Sequence, residues 1–139
     1  MLTDAEGNPL VVQTTPANVP DQEQLPALLE ARPAVQGPRG RPRRNPEAII
    51  GDRAYGTRAM VAHVEGQRIE SLLAPRADGT HGSGLGVLRY VVERTLACFS
   101  HFRRLRLCYE RWGTHFQALH DLAAAMLVCT RLKSRGLPF

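Results

Sequence analysis

A strand, a helix and a second strand follow one another between Glu47 and Leu73, and this order restricts the chain to folds that combine both kinds of structure. Glu47 to Gly51 is a short apolar run typical of a buried strand. Tyr55 to Glu65 has the spacing of a helix, and Arg68 to Leu73 again has the composition of a strand. We therefore predict an α/β protein in which helices pack against a mixed sheet.

The flanking sequence predicts one hairpin and three more helices. Dense turn residues from Thr3 to Pro9 precede a β-rich run, which indicates a hairpin. A short helical pattern opens at Asp21 and ends before Pro33. A loose segment from Ala77 to Gly86 precedes a helix that begins near Val87 and runs into an arginine cluster. A last helix is predicted from about Thr114 to Lys133.

Helical periodicity predicts which side chains of the two long helices are buried. On the first, an apolar arc includes Thr95, Leu96 and Phe99, and Glu93 falls on the opposite side with Arg89 and Ser100. On the last, the predicted buried stripe consists of Phe116, Leu119, Ala123, Met126, Leu127 and Thr130.

Size and charge indicate one domain, residues 1–139, with a nucleic-acid partner. The 139 residues suffice for one core, and Lys and Arg outnumber Asp and Glu by 18 to 13. The sequence pI of about 9.7 favours DNA or RNA as a ligand. Three cysteines without a C-x-x-C pair argue against a disulfide framework or a zinc site, and no signal peptide or membrane span is predicted. We expect a cytoplasmic protein.

Two segments concentrate the positive charge. The loop 36–46 contains Arg39, Arg41, Arg43 and Arg44. Its Arg-Gly-Arg-Pro sequence is the core of an AT-hook, which binds the minor groove, although general phosphate contact or simple solvation also accounts for it. The second segment contains Arg103, Arg104, Arg106 and Arg111 near two aromatic residues, Tyr109 and Trp112. Either these rings stack on bases, or they pack inside while the arginines face water.

Two acidic residues stand in settings suited to metal chemistry. Asp52 follows a strand and precedes a helix, and Glu93 lies on a helix between Arg89 and Arg94. Carboxylate oxygens are the ligands that Mg²⁺ and Mn²⁺ prefer, and such ions support phosphodiester cleavage. The residues alone leave simpler alternatives open: Asp52 as a helix N-cap, and Glu93 in a solvated ion pair.

Both settings resemble the DDE transposases of bacterial insertion sequences, nearest the group named for insertion sequence five. In the block from Gly51 to Met60 an Asp is followed three residues later by Tyr55, as in the family's second-Asp motif. The segment from Leu88 to Arg111 resembles the region of its third acidic residue. Two positions depart from the family pattern: Gly86 replaces a Tyr, and Ser100 replaces a basic residue that contacts DNA. No counterpart of the first catalytic Asp is found, because Asp4 has the context of a hairpin turn.

The resemblance implies a ribonuclease H-like catalytic core that lacks its first, central strand. Asp52 and Glu93 would then be catalytic metal ligands for Mg²⁺ or Mn²⁺, with Tyr55 beside Asp52 and with Arg89 and Arg94 positioning Glu93 or contacting DNA. Nine arginines from the two basic segments and from the helix that carries Glu93 would bind the insertion-sequence ends and target; they are Arg39, Arg41, Arg43, Arg44, Arg89, Arg94, Arg103, Arg104 and Arg106.

The loss of a central strand implies that the chain alone is marginally stable, and the incomplete triad implies that it is inactive. The missing Asp is expected from another reading frame through translational frameshifting. As protein partners we expect either that upstream transposase piece or a second copy of the chain in a homodimer. The alternative is a non-catalytic DNA-binding remnant that regulates an intact transposase by competing for element ends or dimerising with it.

Overall fold

The described residues form two units, each with its own two-stranded sheet. The computed structural model describes residues 1–37, 39–73 and 86–136, and for residues 86–89 it describes only the backbone. Met1–Pro16 and Tyr90–Phe139 belong to one unit, which we call the terminal unit, and Ala17–Arg89 belong to the central unit. The predicted combination of helices and strands is confirmed, but among the described residues the strands form two small sheets instead of one mixed sheet.

Four strands and five α-helices are present in the described part of the chain. The strands are β1 (Leu2–Thr3), β2 (Pro9–Val11), β3 (Ala48–Gly51) and β4 (Glu70–Leu73), and the helices are α1 (Leu25–Glu30), α2 (Arg58–Gly66), α3 (Gly86–Phe99), α4 (Arg103–Arg106) and α5 (Gly113–Ser134). Two short 3₁₀ turns span Asp21–Gln24 and Arg53–Tyr55.

The central unit is built on a strand–helix–strand arrangement. Strands β3 and β4 pair in parallel, with Ala48 opposite Glu70 and Gly51 opposite Leu73. Parallel strands need a crossover connection, and α2 lies within it. Thr57 starts that helix, because its Oγ1 accepts a hydrogen bond from the amide of Met60 at 3.3 Å. The alternation predicted from Glu47 to Leu73 is therefore confirmed.

Apolar side chains from α1, α2 and both strands form the core of the central unit. Leu29 and Val64 are fully buried. Each such side chain stabilises the fold by roughly 1.5 to 3 kcal/mol through burial. The remaining members of the cluster are Leu25, Ile49, Ile69 and Leu73. This core fixes β3, and with it the position of the residue that follows the strand.

The terminal unit contains the predicted hairpin, β1 and β2, whose turn is held by its own side chains. Asp4 Oδ1 accepts hydrogen bonds from the amides of Glu6 and Asn8 at 2.9 and 2.8 Å. Gly7 has a φ of +87°, which favours glycine. A Cβ at Gly7 would also lie 2.8 Å from Thr95 Oγ1, so the turn rests directly on α3.

Polar side chains at and near α3 and α5 form hydrogen bonds and an ion pair with this turn. Thr95, which is fully buried, donates from Oγ1 to the carbonyl of Gly7 at 2.6 Å, and Arg94 donates to the carbonyl of Glu6 at 2.9 Å. Arg131 of α5 donates to Asn8 at 3.0 Å, and Arg135, which follows the helix, pairs with Glu6 at 2.7 Å. The turn therefore connects the N-terminal and C-terminal parts of the chain within the terminal unit.

Replacing Thr95 with valine is expected to destabilise the terminal unit by about 1 to 2 kcal/mol, because the shape is kept while the buried Gly7 carbonyl loses its donor. Thr130→Val is the matched control: both hydroxyls bond the carbonyl four residues earlier, but Thr130 is exposed and has no described partner on the hairpin. Urea unfolding of the two variants measures the difference. Equal losses would show that the contact with Gly7 contributes nothing.

Two features of the long helices differ from the sequence prediction. Helix α3 does not run into the arginine cluster but ends at Phe99, since the amides of Ser100 and His101 bond three residues back and the Ser100 hydroxyl bonds the Ala97 carbonyl at 2.7 Å. Three predicted buried side chains, Leu96, Met126 and Thr130, are exposed. No helix among the described residues is long and apolar enough to span a membrane.

Candidate functional site

Asp52 lies at the carboxyl end of the parallel strand pair, directly after β3. Its side chain is exposed, and Oδ1 accepts a hydrogen bond from the amide of Arg53 at 2.6 Å. The predicted N-cap role is confirmed in this form, because Asp52 caps the 3₁₀ turn Arg53–Tyr55. The carboxyl end of parallel strands is also where α/β proteins bind their ligands. Capping and ligand binding are compatible at this position.

Tyr55 and Gly51 set the position of Asp52. The amide of Tyr55 donates to the carbonyl of Asp52 at 2.9 Å, and the half-buried ring packs against the central core. At Gly51 a Cβ would lie 2.6 Å from Leu73 Cδ2 and 3.5 Å from the Tyr55 ring, so a larger residue would require the buried Leu73 side chain to shift. Burial raises the pKa of Tyr55, and the negative charges of Asp21 and Asp52 raise it further.

The raised pKa of Tyr55 makes stability depend on pH in the alkaline range. Because the folded pKa lies above the ordinary value of 10.0, the stabilisation is fully present below that value and is lost as pH rises through the folded pKa. Tyr55→Phe is expected to remove this part of the alkaline loss. Urea unfolding between about pH 8 and pH 11 tests it, with exposed Tyr109 replaced by Phe as control. An unchanged profile in Tyr55→Phe would contradict the expectation.

Glu93 is exposed on α3, as its helical position predicted. It makes no hydrogen bond or ion pair with any side chain that the structure describes, and the side chain of Arg89, predicted to lie beside it, is outside those described. The next two residues, Arg94 and Thr95, hold the hairpin turn. The turn thereby fixes the rotation of α3 and keeps Glu93 on the accessible side.

Arg94 of α3 contacts the hairpin turn. Besides its bond to the Glu6 carbonyl, its guanidinium is 5.8 Å from the centre of the Tyr90 ring, a cation–π distance. Sequence reasoning missed this role, and it also counted Thr95 among the apolar residues of its helix. The buried hydroxyl of Thr95 makes a specific polar contact, and no local signal in the sequence identifies its partner 88 residues away.

The basic loop 36–46 is closed at its base. Val35 and Arg43 exchange backbone hydrogen bonds of 2.8 and 2.9 Å, and Gln36 Nε2 donates to the carbonyl of Gly40 at 2.9 Å. Arg43 pairs with Glu47 at 3.0 Å, and Arg44 donates to the carbonyl of Glu30 at 2.8 Å.

Buried Arg32 holds the same base, donating to the Arg44 carbonyl at 3.0 Å and to Asn45 at 2.6 Å. Arg39 and Arg41 lie between the bridged residues Val35 and Arg43, in what we call the closed part of the loop. Both side chains are exposed, and neither has a partner among the described residues. The loop therefore has an anchored base and carries two guanidinium groups that pair with no described residue.

The second basic segment combines exposed arginines with exposed rings. Arg103 and Arg106 face solvent on α4, and Arg104 pairs with Glu110. Tyr109 is 65% exposed and Trp112 is 68% exposed. The alternative in which these two rings pack inside is therefore wrong, although Phe102 and Leu105 are half-buried.

The donor set suits a hard divalent cation but is incomplete in the described chain. Asp52 belongs to the central unit and Glu93 to the terminal unit, and both offer carboxylate oxygens of the kind that Mg²⁺ and Mn²⁺ prefer. No group of three or more His, Cys, Asp or Glu side chains placed to hold a metal occurs among the residues described. Asp52 and Glu93 are each chemically suited to serve as one ligand of such a cation.

Comparison with known proteins gives two matches. A family model described as the transposase DDE domain matches residues 1–128. The chain is also 44% identical over 133 residues to a Burkholderia cepacia protein named "Putative transposase for insertion sequence element IS402". The match covers 96% of this chain but 63% of that relative, so the chain spans less than two thirds of the relative's length. No solved structure matches the chain.

Proposed function

Because the chain belongs to the transposase DDE domain family, we propose that it is the catalytic part of an insertion-sequence transposase. It would bind the ends of its element and, within a complete protein, cleave and transfer DNA strands with the help of divalent metal. The observation that carries this proposal is the exposed carboxylate of Asp52 at the carboxyl end of a parallel strand pair.

Asp52 would be one metal ligand. Its backbone is fixed by β3, by the 3₁₀ turn and by Tyr55, while its side chain remains exposed. A ligand held by a strand end loses little conformational freedom when it binds. Asp52 therefore has the rigid support that a catalytic carboxylate needs.

Glu93 would be a second ligand, presented by α3. The contacts of Arg94 and Thr95 to the hairpin turn orient this helix, and Glu93 remains exposed. Mg²⁺ or Mn²⁺, when bound, would stabilise the charge that develops on the attacking and leaving oxygens of the phosphodiester. Asp52 and Glu93 would supply oxygen ligands, and the strand end and the helix that carry them would orient these ligands.

We further propose that the complete protein has a ribonuclease H-like core. The parallel strand pair of the central unit, with a helix in its crossover connection, supports this proposal. The family resemblance implies a further strand that carries the first Asp. Since the chain spans 63% of its relative, that strand would belong to a longer protein, to an upstream piece joined by frameshifting, or to a partner chain.

DNA contact would come from the arginines that the fold leaves exposed. Arg39 and Arg41 lie on the closed loop, and Arg103 and Arg106 lie on α4. Exposed guanidinium groups form bidentate bonds with phosphate oxygens. Arg43, Arg44, Arg94 and Arg104 already bond to the protein, and they would contribute charge more than free donors.

The test is cleavage of labelled element ends by the chain alone and by the chain joined to the part of the Burkholderia cepacia relative that lies outside the match. We expect the joined protein to cleave in Mg²⁺ or Mn²⁺ and not in a chelator, and the chain alone to bind without cleaving. Binding by both forms with no metal-dependent cleavage by the joined protein would instead identify a non-catalytic regulator.

A further inference from the structure

We propose that the segment Leu107–Trp112, which we call the aromatic segment, binds unpaired DNA bases by stacking them on Tyr109 and Trp112. This inference rests on the proposed function, since strand cleavage and transfer expose bases at DNA ends. It adds a site for single-stranded DNA to the phosphate contacts already described.

Exposure of the two rings is the first observation. Tyr109 is 65% exposed and Trp112 is 68% exposed, although aromatic side chains gain more than most from burial. They lie three positions apart, so their Cα atoms are at most about 11 Å from each other. Leu107, 44% exposed, extends the same segment. The fold of this unit leaves these faces available for a ligand.

The backbone of the aromatic segment is fixed at both ends. The carbonyl of Trp112 accepts hydrogen bonds from the amides of His115 and Phe116 at 3.1 and 3.2 Å, which attaches it to the start of α5. At the other end, the amide of Leu107 donates to the carbonyl of Arg103 at 3.0 Å, and within the segment Arg104 of α4 pairs with Glu110, whose side chain is 13% exposed. A platform with a fixed backbone binds with a smaller entropy loss than a free loop.

The positive charge around the aromatic segment favours a nucleic acid over an apolar protein surface as its ligand. Arg103, Arg106 and Arg111 are exposed, and none has a partner among the described residues. The acid of the segment, Glu110, is engaged by Arg104. Aromatic faces within a basic surface are the combination that binds single strands, because phosphates meet the charge while bases meet the rings.

Unpaired bases are favoured over duplex DNA for a geometric reason. In a duplex each base is stacked between its neighbours and its faces are not accessible. Stacking on protein rings tolerates any base, so the site should show little sequence preference. Duplex ends would still bind through phosphate contacts, but without contact to the two rings.

The chain contains a single tryptophan, so its fluorescence reports on Trp112 alone. Titration with a single-stranded thymidine oligonucleotide is expected to quench the emission. Duplex DNA of the same length and inorganic polyphosphate serve as ligands that carry charge without accessible base faces. We expect little quenching by either. Equal quenching by polyphosphate would overturn the proposal.

Variants of the two rings measure the stacking contribution. Trp112→Leu and Tyr109→Leu each are expected to weaken binding of a labelled single-stranded oligonucleotide by about 5- to 150-fold, whereas Trp112→Phe keeps an aromatic face and should remain within about threefold of the parent. Tyr90→Leu, which removes a similarly exposed ring from α3, is the matched control. Circular dichroism verifies that each variant is folded.

Binding of single-stranded DNA by Trp112→Leu at the parent affinity would overturn the proposal. Both measurements omit metal, so they are independent of the cleavage test. Loss of cleavage with intact stacking would reject the proposed catalytic role alone, and intact cleavage without stacking would reject this inference alone.

Discussion

Replacing Asp52 with asparagine, or Glu93 with glutamine, is expected to reduce metal-dependent DNA cleavage by about a thousandfold or more in the protein completed to the length of its relative. Loss of one ligand removes several kcal/mol of charge stabilisation in the transition state, and each 1.36 kcal/mol changes the rate about tenfold. The amides have the size of the acids but lack the anionic oxygen. DNA binding, which depends on arginines, should change little.

These substitutions are conservative for the fold. Both side chains are exposed, and asparagine caps a helical turn as well as aspartate does, so the Arg53–Tyr55 turn should persist in Asp52→Asn. Glu65→Gln on α2 and Glu70→Gln on β4 are matched controls, since both acids are exposed. Cleavage of labelled ends in Mg²⁺ compares the variants. Comparable losses in the controls, or none at Asp52 and Glu93, would reject the proposed ligands.

Local signals in the sequence predicted the elements that carry the two acids. An apolar run followed by Asp52, a capping residue, defines a strand end within a few residues, and β3 ends at Gly51 as predicted. Helical periodicity placed Glu93 on the exposed side of α3, which the structure confirms. Both features depend on neighbours in sequence, so they can be predicted without knowledge of the fold.

Features that depend on distant residues could not be predicted in the same way. Leu96 and Met126 have the spacing of buried residues, yet about half of each side chain is exposed, because burial requires a partner surface that periodicity does not specify. The bond between Thr95 and Gly7 joins residues 88 positions apart. Helix α3 ends at Phe99 because polar side chains at Ser100 and His101 bond the Ala97 carbonyl, an alternative to the helical pattern.

The prediction of function rested on a family resemblance, whereas the prediction of the fold rested on local sequence patterns. Physical reasoning on Asp52 alone favoured an N-cap, which the structure contains. The assignment to the DDE transposase family came from the resemblance around Asp52, Tyr55 and Glu93, and the family match confirms it. The structure adds that the capping residue remains exposed at a parallel strand end, a position that serves both purposes.

Raising the salt concentration from about 50 to 200 mM is expected to weaken binding of duplex DNA about 150-fold. The estimate counts four of the arginines predicted to bind DNA, those that are exposed and have no partner among the described residues: Arg39, Arg41, Arg103 and Arg106. Each phosphate contact adds about −0.9 to the slope of log affinity against log salt, which gives a slope of about −3.6. Fluorescence anisotropy of a labelled duplex measures it, and a flat response would exclude phosphate contact by these residues.

The basic loop provides an internal comparison for this slope. Arg39→Gln together with Arg41→Gln should lower its magnitude by about 1.8, since two free guanidinium groups are lost. Arg43→Gln together with Arg44→Gln removes the same charge from the same loop, but these side chains bond Glu47 and the Glu30 carbonyl. The second pair should change the slope less and reduce stability more. Equal slopes for the two double variants would mean that DNA affinity depends only on the net charge of the loop. A smaller slope change in the second pair would assign the phosphate contacts to Arg39 and Arg41.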